Sequence, residues 1–183
     1  MLEQGQREAT AKEAALSVKG TASPVFTVSS PSISLPKGGG AIRGIGDRLA
    51  LVLWPGVQYR TGQAFDLARI ARAAHAAGAT CGFDLAHAVG NLDLALHDSG
   101  ADFAVWCHYK YCNSGPGAVG GCFVHDRHAR TDRPRFAGWW GHDLATRFRM
   151  GPEFVPTPGA DGWQLSNPPI LALAPLRASL DLF

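Results

Sequence analysis

From residue 49 onward the chain alternates short apolar runs with amphipathic stretches. Leu49-Ala50-Leu51-Val52-Leu53-Trp54 is continuously apolar, the pattern of a strand covered on both faces. Pro55-Gly56 ends it. Between Asp66 and Ala77, the residues Leu67, Ile70, Ala71, Ala74 and Ala77 share one face of a helix, and Gly78 supplies its stop. Thr80-Cys81-Gly82-Phe83-Asp84 reads as a second strand ending in a carboxylate. Leu92 to Ser99 reads as a short helix before Gly100, Ala101 to Trp106 as a third strand, Val119 to Val124 as a fourth, and Ala174 to Leu180 as a last helix. Strand–helix–strand units of this length predict right-handed crossovers and a mostly parallel sheet with flanking helices, an α/β fold. Ligands of such sheets sit beyond the carboxyl ends of the strands. Tyr59-Arg60-Thr61, Asp84 and Lys110 all fall just past a predicted strand end.

The chain changes character near residue 48. Before it there is no Trp, Tyr or Cys, and Phe26 is the only aromatic residue. Leu2 to Val18 has the composition of a short helix with a thin apolar face. Thr21 to Pro36 is rich in Ser, Thr and Pro, with alternation at Val25-Phe26-Thr27-Val28, and Lys37-Gly38-Gly39-Gly40 is a flexible break. Such a segment buries too little to offset its ordering entropy, so residues 1–47 are read as a disordered leader and residues 48–183 as the folded unit. The Gly-rich run lacks the Gly-Lys-Ser/Thr of a phosphate-binding loop.

Composition narrows the function classes. With 46% hydrophobic and 17% charged residues and a net charge of +2, nothing argues for nucleic acid as a partner. No run reaches the roughly 18 apolar residues of a membrane span, and Met1 to Gly20 has no apolar signal-peptide core. Cys81, Cys107, Cys112 and Cys122 form no Cys-x-x-Cys pair, which reads as reduced thiols in a cytoplasmic protein and as no metal site.

One residue stands out chemically. After Leu49 there are ten arginines and a single lysine, Lys110, in Trp106-Cys107-His108-Tyr109-Lys110-Tyr111-Cys112-Asn113-Ser114-Gly115-Pro116-Gly117. Arginine serves solubility as well as lysine but cannot become a neutral amine. A lysine that condenses with an aldehyde, with a carboxylate on the strand upstream, points to pyridoxal 5'-phosphate (PLP). That cofactor withdraws electrons while its ring nitrogen stays protonated, and a buried aspartate holds the proton there. Asp84 has that place, although a capping aspartate at a strand–helix turn would look the same. His87, three residues on, is a candidate to pack on the ring or bond a cofactor oxygen, although a plain structural histidine would look the same. Tyr109 is a candidate donor to phosphate, and Lys110 would hold the cofactor and then move protons. Gly115-Pro116-Gly117 would permit close backbone approach after the lysine.

The stretches Gly82-Phe83-Asp84-Leu85-Ala86-His87-Ala88-Val89-Gly90-Asn91, Asp102-Phe103-Ala104-Val105-Trp106-Cys107-His108-Tyr109-Lys110-Tyr111, Gly138-Trp139-Trp140-Gly141-His142, Thr146-Arg147-Phe148 and Ser166-Asn167-Pro168-Pro169-Ile170-Leu171 resemble the kynureninase family in order and spacing, from about Arg48 to Phe183. The resemblance implies a fold-type-I PLP-dependent transferase large domain. It implies hydrolysis of L-kynurenine or 3-hydroxykynurenine to anthranilate and L-alanine in tryptophan catabolism and NAD biosynthesis, by a homodimer with sites at the interface. It makes Lys110 the PLP lysine, Asp84 the partner of the ring nitrogen and His87 a neighbour of the ring. It adds Tyr109 and Trp139 at the phosphate, Trp139 from the partner subunit, and Asn167 at the cofactor and substrate site. Pro55 departs from the family, which can place a small hydroxyl residue there. Other relatives of the same superfamily, such as cysteine desulfurases, typically show glutamine in the His87 region and His-Lys at the lysine.

Ser32 to Gly46 resembles instead the opening of the B component of insecticidal toxin complexes and of the Salmonella plasmid virulence B protein. The large domain is expected to be incomplete, since the family's earlier phosphate-binding segment has no counterpart in residues 1–47 and the chain ends inside its last helix. Taken alone, the chain is expected to bind PLP weakly and turn over little. The competing expectations are a cysteine desulfurase and a non-catalytic fragment or toxin-complex interaction piece.

Overall fold

The computed structural model describes residues 25–27 and 49–183. Five strands form one sheet in chain order: β1 (Val25–Thr27), β2 (Leu51–Pro55), β3 (Thr80–Asp84), β4 (Phe103–Cys107) and β5 (Gly120–Val124). β1 to β4 are parallel, with Leu51 opposite Thr80 and Gly82 opposite Phe103. β5 runs antiparallel to β4, Trp106 facing Gly121. The predicted mostly parallel sheet is therefore present, with one reversal. Parallel neighbours need a long crossover, and the connection between Cys107 and Gly120 contains no helix, so the chain turns and comes back beside β4.

Three residues of the stretch read as a disordered leader, Val25–Thr27, form the edge strand β1. The expected helix from Leu2 to Val18 and the stretch from Ser32 to Gly46 lie outside the described residues.

Helix α1 (Leu67–Ala76) forms as its spacing predicts. Asp66 caps it by accepting from Arg69 N at 2.9 Å, Ile70, Ala71 and Ala74 face inward, and Gly78 turns the chain out at φ +76°. Helix α2 is shorter than expected, Leu96–Ser99. Its predicted first turn is used up by the bend at Gly90, where Asn91 and Leu92 both donate back to Ala88 O. Helix α3 (Ile170–Leu180) starts four residues earlier than predicted and keeps Pro175 inside it, which leaves the Leu171 carbonyl without its usual donor.

Burial is one-sided. Val52, Trp54, Cys81, Phe83 and Ala104 are fully buried beside Ile70, Ala71 and Ala74 of α1, while Leu51 and Leu53 are only half-buried. The expectation of a first strand covered on both faces is thus corrected. The opposite face carries Leu51, Phe103, Val105, Cys122 and Val124 along an open apolar groove of about 690 Å³.

Candidate active site

Successive strand ends deliver the site. Asp84 is the last residue of β3, exposed, and its Oδ1 accepts from Ala86 N at 2.9 Å. That bond closes a tight turn, the capping role also foreseen for it. The turn brings His87 round, and Gly56 N donates to Asp84 O at 2.8 Å to tie the end of β2 alongside. Tyr59, in the loop after β2, stacks on His87 with ring centroids 6.2 Å apart and planes 28° apart.

Lys110 arrives from the far side, just past β4. Its Nζ lies 3.0 Å from His87 Nε2, 23 residues earlier in the chain. Gly90 makes this approach possible: a Cβ there would sit 3.0 Å from Tyr111 C and 3.1 Å from Tyr111 O, and its φ is +77°. The backbone of the lysine loop therefore lies directly against the His87 turn, at a distance only glycine allows.

The loop itself is held by short bonds. Asn113 N donates to Lys110 O at 3.1 Å and Ser114 N to His108 O at 3.2 Å. Asn113, Gly115 and Gly117 all have positive φ. Both glycines adopt the left-handed backbone that a residue without Cβ takes most easily, with φ +78° at Gly115 and +75° at Gly117.

His87, Gly90, Lys110, Tyr111, Asn113 and Phe183 line an open cavity of about 560 Å³. Tyr111 and Asn113 were missed by sequence reasoning; their one signal was flanking the lone lysine. The electrostatics favour an uncharged His87. Burial lowers its pKa below the ordinary 6.5, the positive charge of Lys110 lowers it further, and Asp84 opposes both. The arrangement is an amine in contact with an imidazole that can accept a hydrogen bond from it, with a carboxylate on the adjoining strand end.

Tyr109 is 53% exposed, with Lys110 Nζ 5.7 Å from its ring centroid. Trp139 and Asn167 stand elsewhere. Trp139 packs edge-on against Phe148 at 5.4 Å and beside Trp140 at 6.1 Å. Arg147 supports this cluster, donating to Trp140 O and His142 O. Asn167 is in an exposed loop before Pro168-Pro169. Among the described residues no hydrogen bond or aromatic pair joins Trp139 or Asn167 to Lys110, and neither lines the cavity at Lys110.

No family model matches the chain. Over 143 residues it is 78% identical to the kynureninase of Xanthomonas euvesicatoria pv. vesicatoria (strain 85-10), covering 78% of this chain and 34% of that protein. The chain is similar to kynureninases. It is 76% identical over 143 residues to the kynureninase of Xanthomonas campestris pv. campestris (strain B100). It spans about a third of the length of these curated relatives. Among solved structures, a cysteine desulfurase from Escherichia coli matches with TM-score 0.60 at 21% identity, over 75% of this chain and 33% of that one. A cystine C–S lyase, solved in complex with its product cysteine persulfide, matches with TM-score 0.61 at 23% identity, over 80% and 38%. The kynureninase-like portion thus has the fold of the fold-type-I PLP-dependent transferases.

Proposed function

We propose that the protein is a PLP-dependent hydrolase that cleaves L-kynurenine, or its 3-hydroxy form, to release L-alanine and the aromatic amine, anthranilate in the first case. The observation behind this reading is the contact between Lys110 Nζ and His87 Nε2, 3.0 Å apart at the carboxyl ends of a parallel sheet. The similarity to kynureninases supports the choice of substrate.

The residues present suit the cofactor. One amine can hold it covalently, and Asp84 offers a carboxylate for the ring nitrogen. His87 offers an imidazole beside the ring, and Tyr109 and Tyr111 offer hydroxyls. Trp139, contributed by a partner subunit, and Asn167 complete the proposed set. When bound, PLP supplies an electron sink for the carbon skeleton of the substrate.

The chain's own residues do the rest. The lowered pKa of His87 favours the neutral imidazole, so its Nε2 can accept a hydrogen bond from Lys110 Nζ and hold that amine in place. Once released from the cofactor, Lys110 can carry a proton to or from the substrate at Nζ. Asp84 places a carboxylate at the edge of the site. Assembly as a homodimer and a place in the cytoplasm belong to the same proposal. The first is supported by the exposed ring of Trp139, 42% accessible, the second by four cysteines all unpaired.

The test is incubation of the protein with PLP, borohydride reduction and peptide mapping, with release of fluorescent anthranilate from kynurenine followed in parallel. Label on Lys110, lost in Lys110→Met, together with anthranilate release is expected. Alanine and sulfide from cysteine without anthranilate from kynurenine would transfer the protein to the desulfurases. Label spread over other amines, with no turnover of either substrate, would favour a non-catalytic role.

A further inference from the structure

His108 stands two residues before Lys110, and both nitrogens of its ring are engaged. Trp106 Nε1 donates to His108 Nε2 at 2.8 Å. His108 Nδ1 lies 2.7 Å from Val119 O, eleven residues further on. An indole N–H can only donate and a carbonyl oxygen can only accept. The two partners therefore dictate one form of the ring: Nε2 bare, Nδ1 carrying the hydrogen, no net charge. The opposite tautomer would set two donors, or two acceptors, against each other at both contacts.

The placement of these bonds matters more than their number. Val119 immediately precedes β5, and Trp106 lies in β4. The His108 ring thus bridges the two ends of the loop that carries Lys110, and the bond from Ser114 N to His108 O draws the middle of the loop to the same residue. Trp106 is itself constrained. It crosses the His108 ring nearly edge-on, centroids 6.0 Å apart. Gly121, opposite it on β5, leaves space for the indole, since a Cβ at Gly121 would come within 2.5 Å of Trp106 Nε1. Any other residue at 121 would displace the donor.

We propose that His108, locked as its Nδ1–H tautomer between Trp106 and Val119, is a positioning residue that holds the lysine loop where Lys110 Nζ meets His87. In its catalytic consequence, this rests on the reading of Lys110 as the PLP lysine. Its structural content stands without that reading. His108 does not line the cavity; it acts through the backbone on either side of Lys110.

Nitrogen-15 NMR of the histidine-labelled protein tests the lock. A protonated Nδ1 and a bare, hydrogen-bonded Nε2 are expected for His108 at neutral pH; a protonated Nε2 would overturn the proposal. Two variants test the positioning. His108→Phe keeps a ring and loses both bonds. His108→Gln can still accept from Trp106 and donate to Val119. With PLP and borohydride, the labelling rate at Lys110 is expected to fall about tenfold or more in His108→Phe, as for a reacting group displaced by about an ångström. In His108→Gln it is expected to recover to within about threefold of the wild type. Equal rates in all three proteins would overturn the proposal.

A second readout needs no cofactor. In His108→Phe the His87 titration should move up toward 6.5, because the Lys110 charge has left it, and an unmoved titration counts against the proposal. If wild-type Lys110 takes no label, the functional reading fails while the NMR readouts still decide the positioning. Should His108→Phe not fold, Trp106→Phe removes the indole N–H while keeping an aromatic ring in β4. It is expected to let the Nε2–H form of His108 appear, and an unchanged tautomer spectrum would overturn the lock.

Discussion

Lys110 Nζ and His87 Nε2 stand 3.0 Å apart although 23 residues separate them. The contact joins the turn after β3 to the loop after β4. Because burial and then the Lys110 charge depress His87 while Asp84 raises it, the imidazole should titrate below 6.5 in an NMR pH series. Lys110→Met should raise the midpoint toward 6.5, and Asp84→Asn should lower it further. A depressed histidine stabilises the fold above its unfolded value and loses that contribution as pH falls through the folded value. The Lys110–His87 contact should accordingly weaken as pH falls from the ordinary histidine value of 6.5 through the lower folded value.

A second polar cluster lies at the opposite end of the sheet. Asp102, only 5% exposed, accepts from Cys81 N at 2.7 Å, from His75 Nε2 at 2.8 Å and from His128 Nε2 at 2.7 Å. Burial alone would raise its pKa, but these hydrogen bonds outweigh it and bring the carboxyl from 3.8 down to about 2. Its stabilising contribution is complete above pH 3.8 and drains away as pH falls through about 2. Asp102→Asn should cost about 1–3 kcal/mol at neutral pH. It should also flatten the acid limb of a stability-against-pH curve measured by urea denaturation.

Cys81 is buried in β3, and burial followed by the nearby Asp102 charge pushes its thiol up to about 12. With almost no thiolate present, it should resist iodoacetamide at pH 8 in the native protein and react fully in denaturant. Asp102→Asn should leave it unreactive, since burial is the larger cause. Mass spectrometry of the alkylated peptides reads both outcomes.

Gly138 marks a backbone-on-backbone contact. A Cβ there would lie 2.2 Å from Leu165 Cα and 2.4 Å from Gln164 O, so nothing flexible can give way. Gly138→Ala should cost about 1–3 kcal/mol and alter the emission of neighbouring Trp139 and Trp140. Gly115→Ala meets no atom within 4 Å but is forced to φ +78°, and should cost about 1 kcal/mol with no change in tryptophan emission. Denaturant midpoints compare the two.

Much of the α/β scaffold was readable because its signals are local. The inward spacing of Ile70, Ala71 and Ala74, the Asp66 cap and the Gly78 stop each depend on neighbours within a turn or two. The apolar run at β2 and the β3 run ending at Asp84 were equally visible. The lone Lys110 was conspicuous because every other basic residue after Leu49, histidines aside, is arginine. The reversal of β5, the sheet face left open among the described residues and the true start of α2 were misjudged or missed. These depend on which surfaces meet, and a hydrophobicity pattern records only that a face is apolar, not whether anything covers it.

The sequence by itself determined β2 to β5, α1 and the identities of the amine, carboxylate and imidazole, since covalent chemistry and short-range periodicity are written residue by residue. Only the tertiary structure decided that His87 touches Lys110, that Gly90 is the spacer that lets it, and that His108 is clamped between Trp106 and Val119. The physical reason is distance along the chain. The His108–Val119 and His87–Lys110 contacts are closed by strand pairing across eleven and twenty-three residues, and no local preference encodes which side chains such pairing will bring within hydrogen-bonding reach.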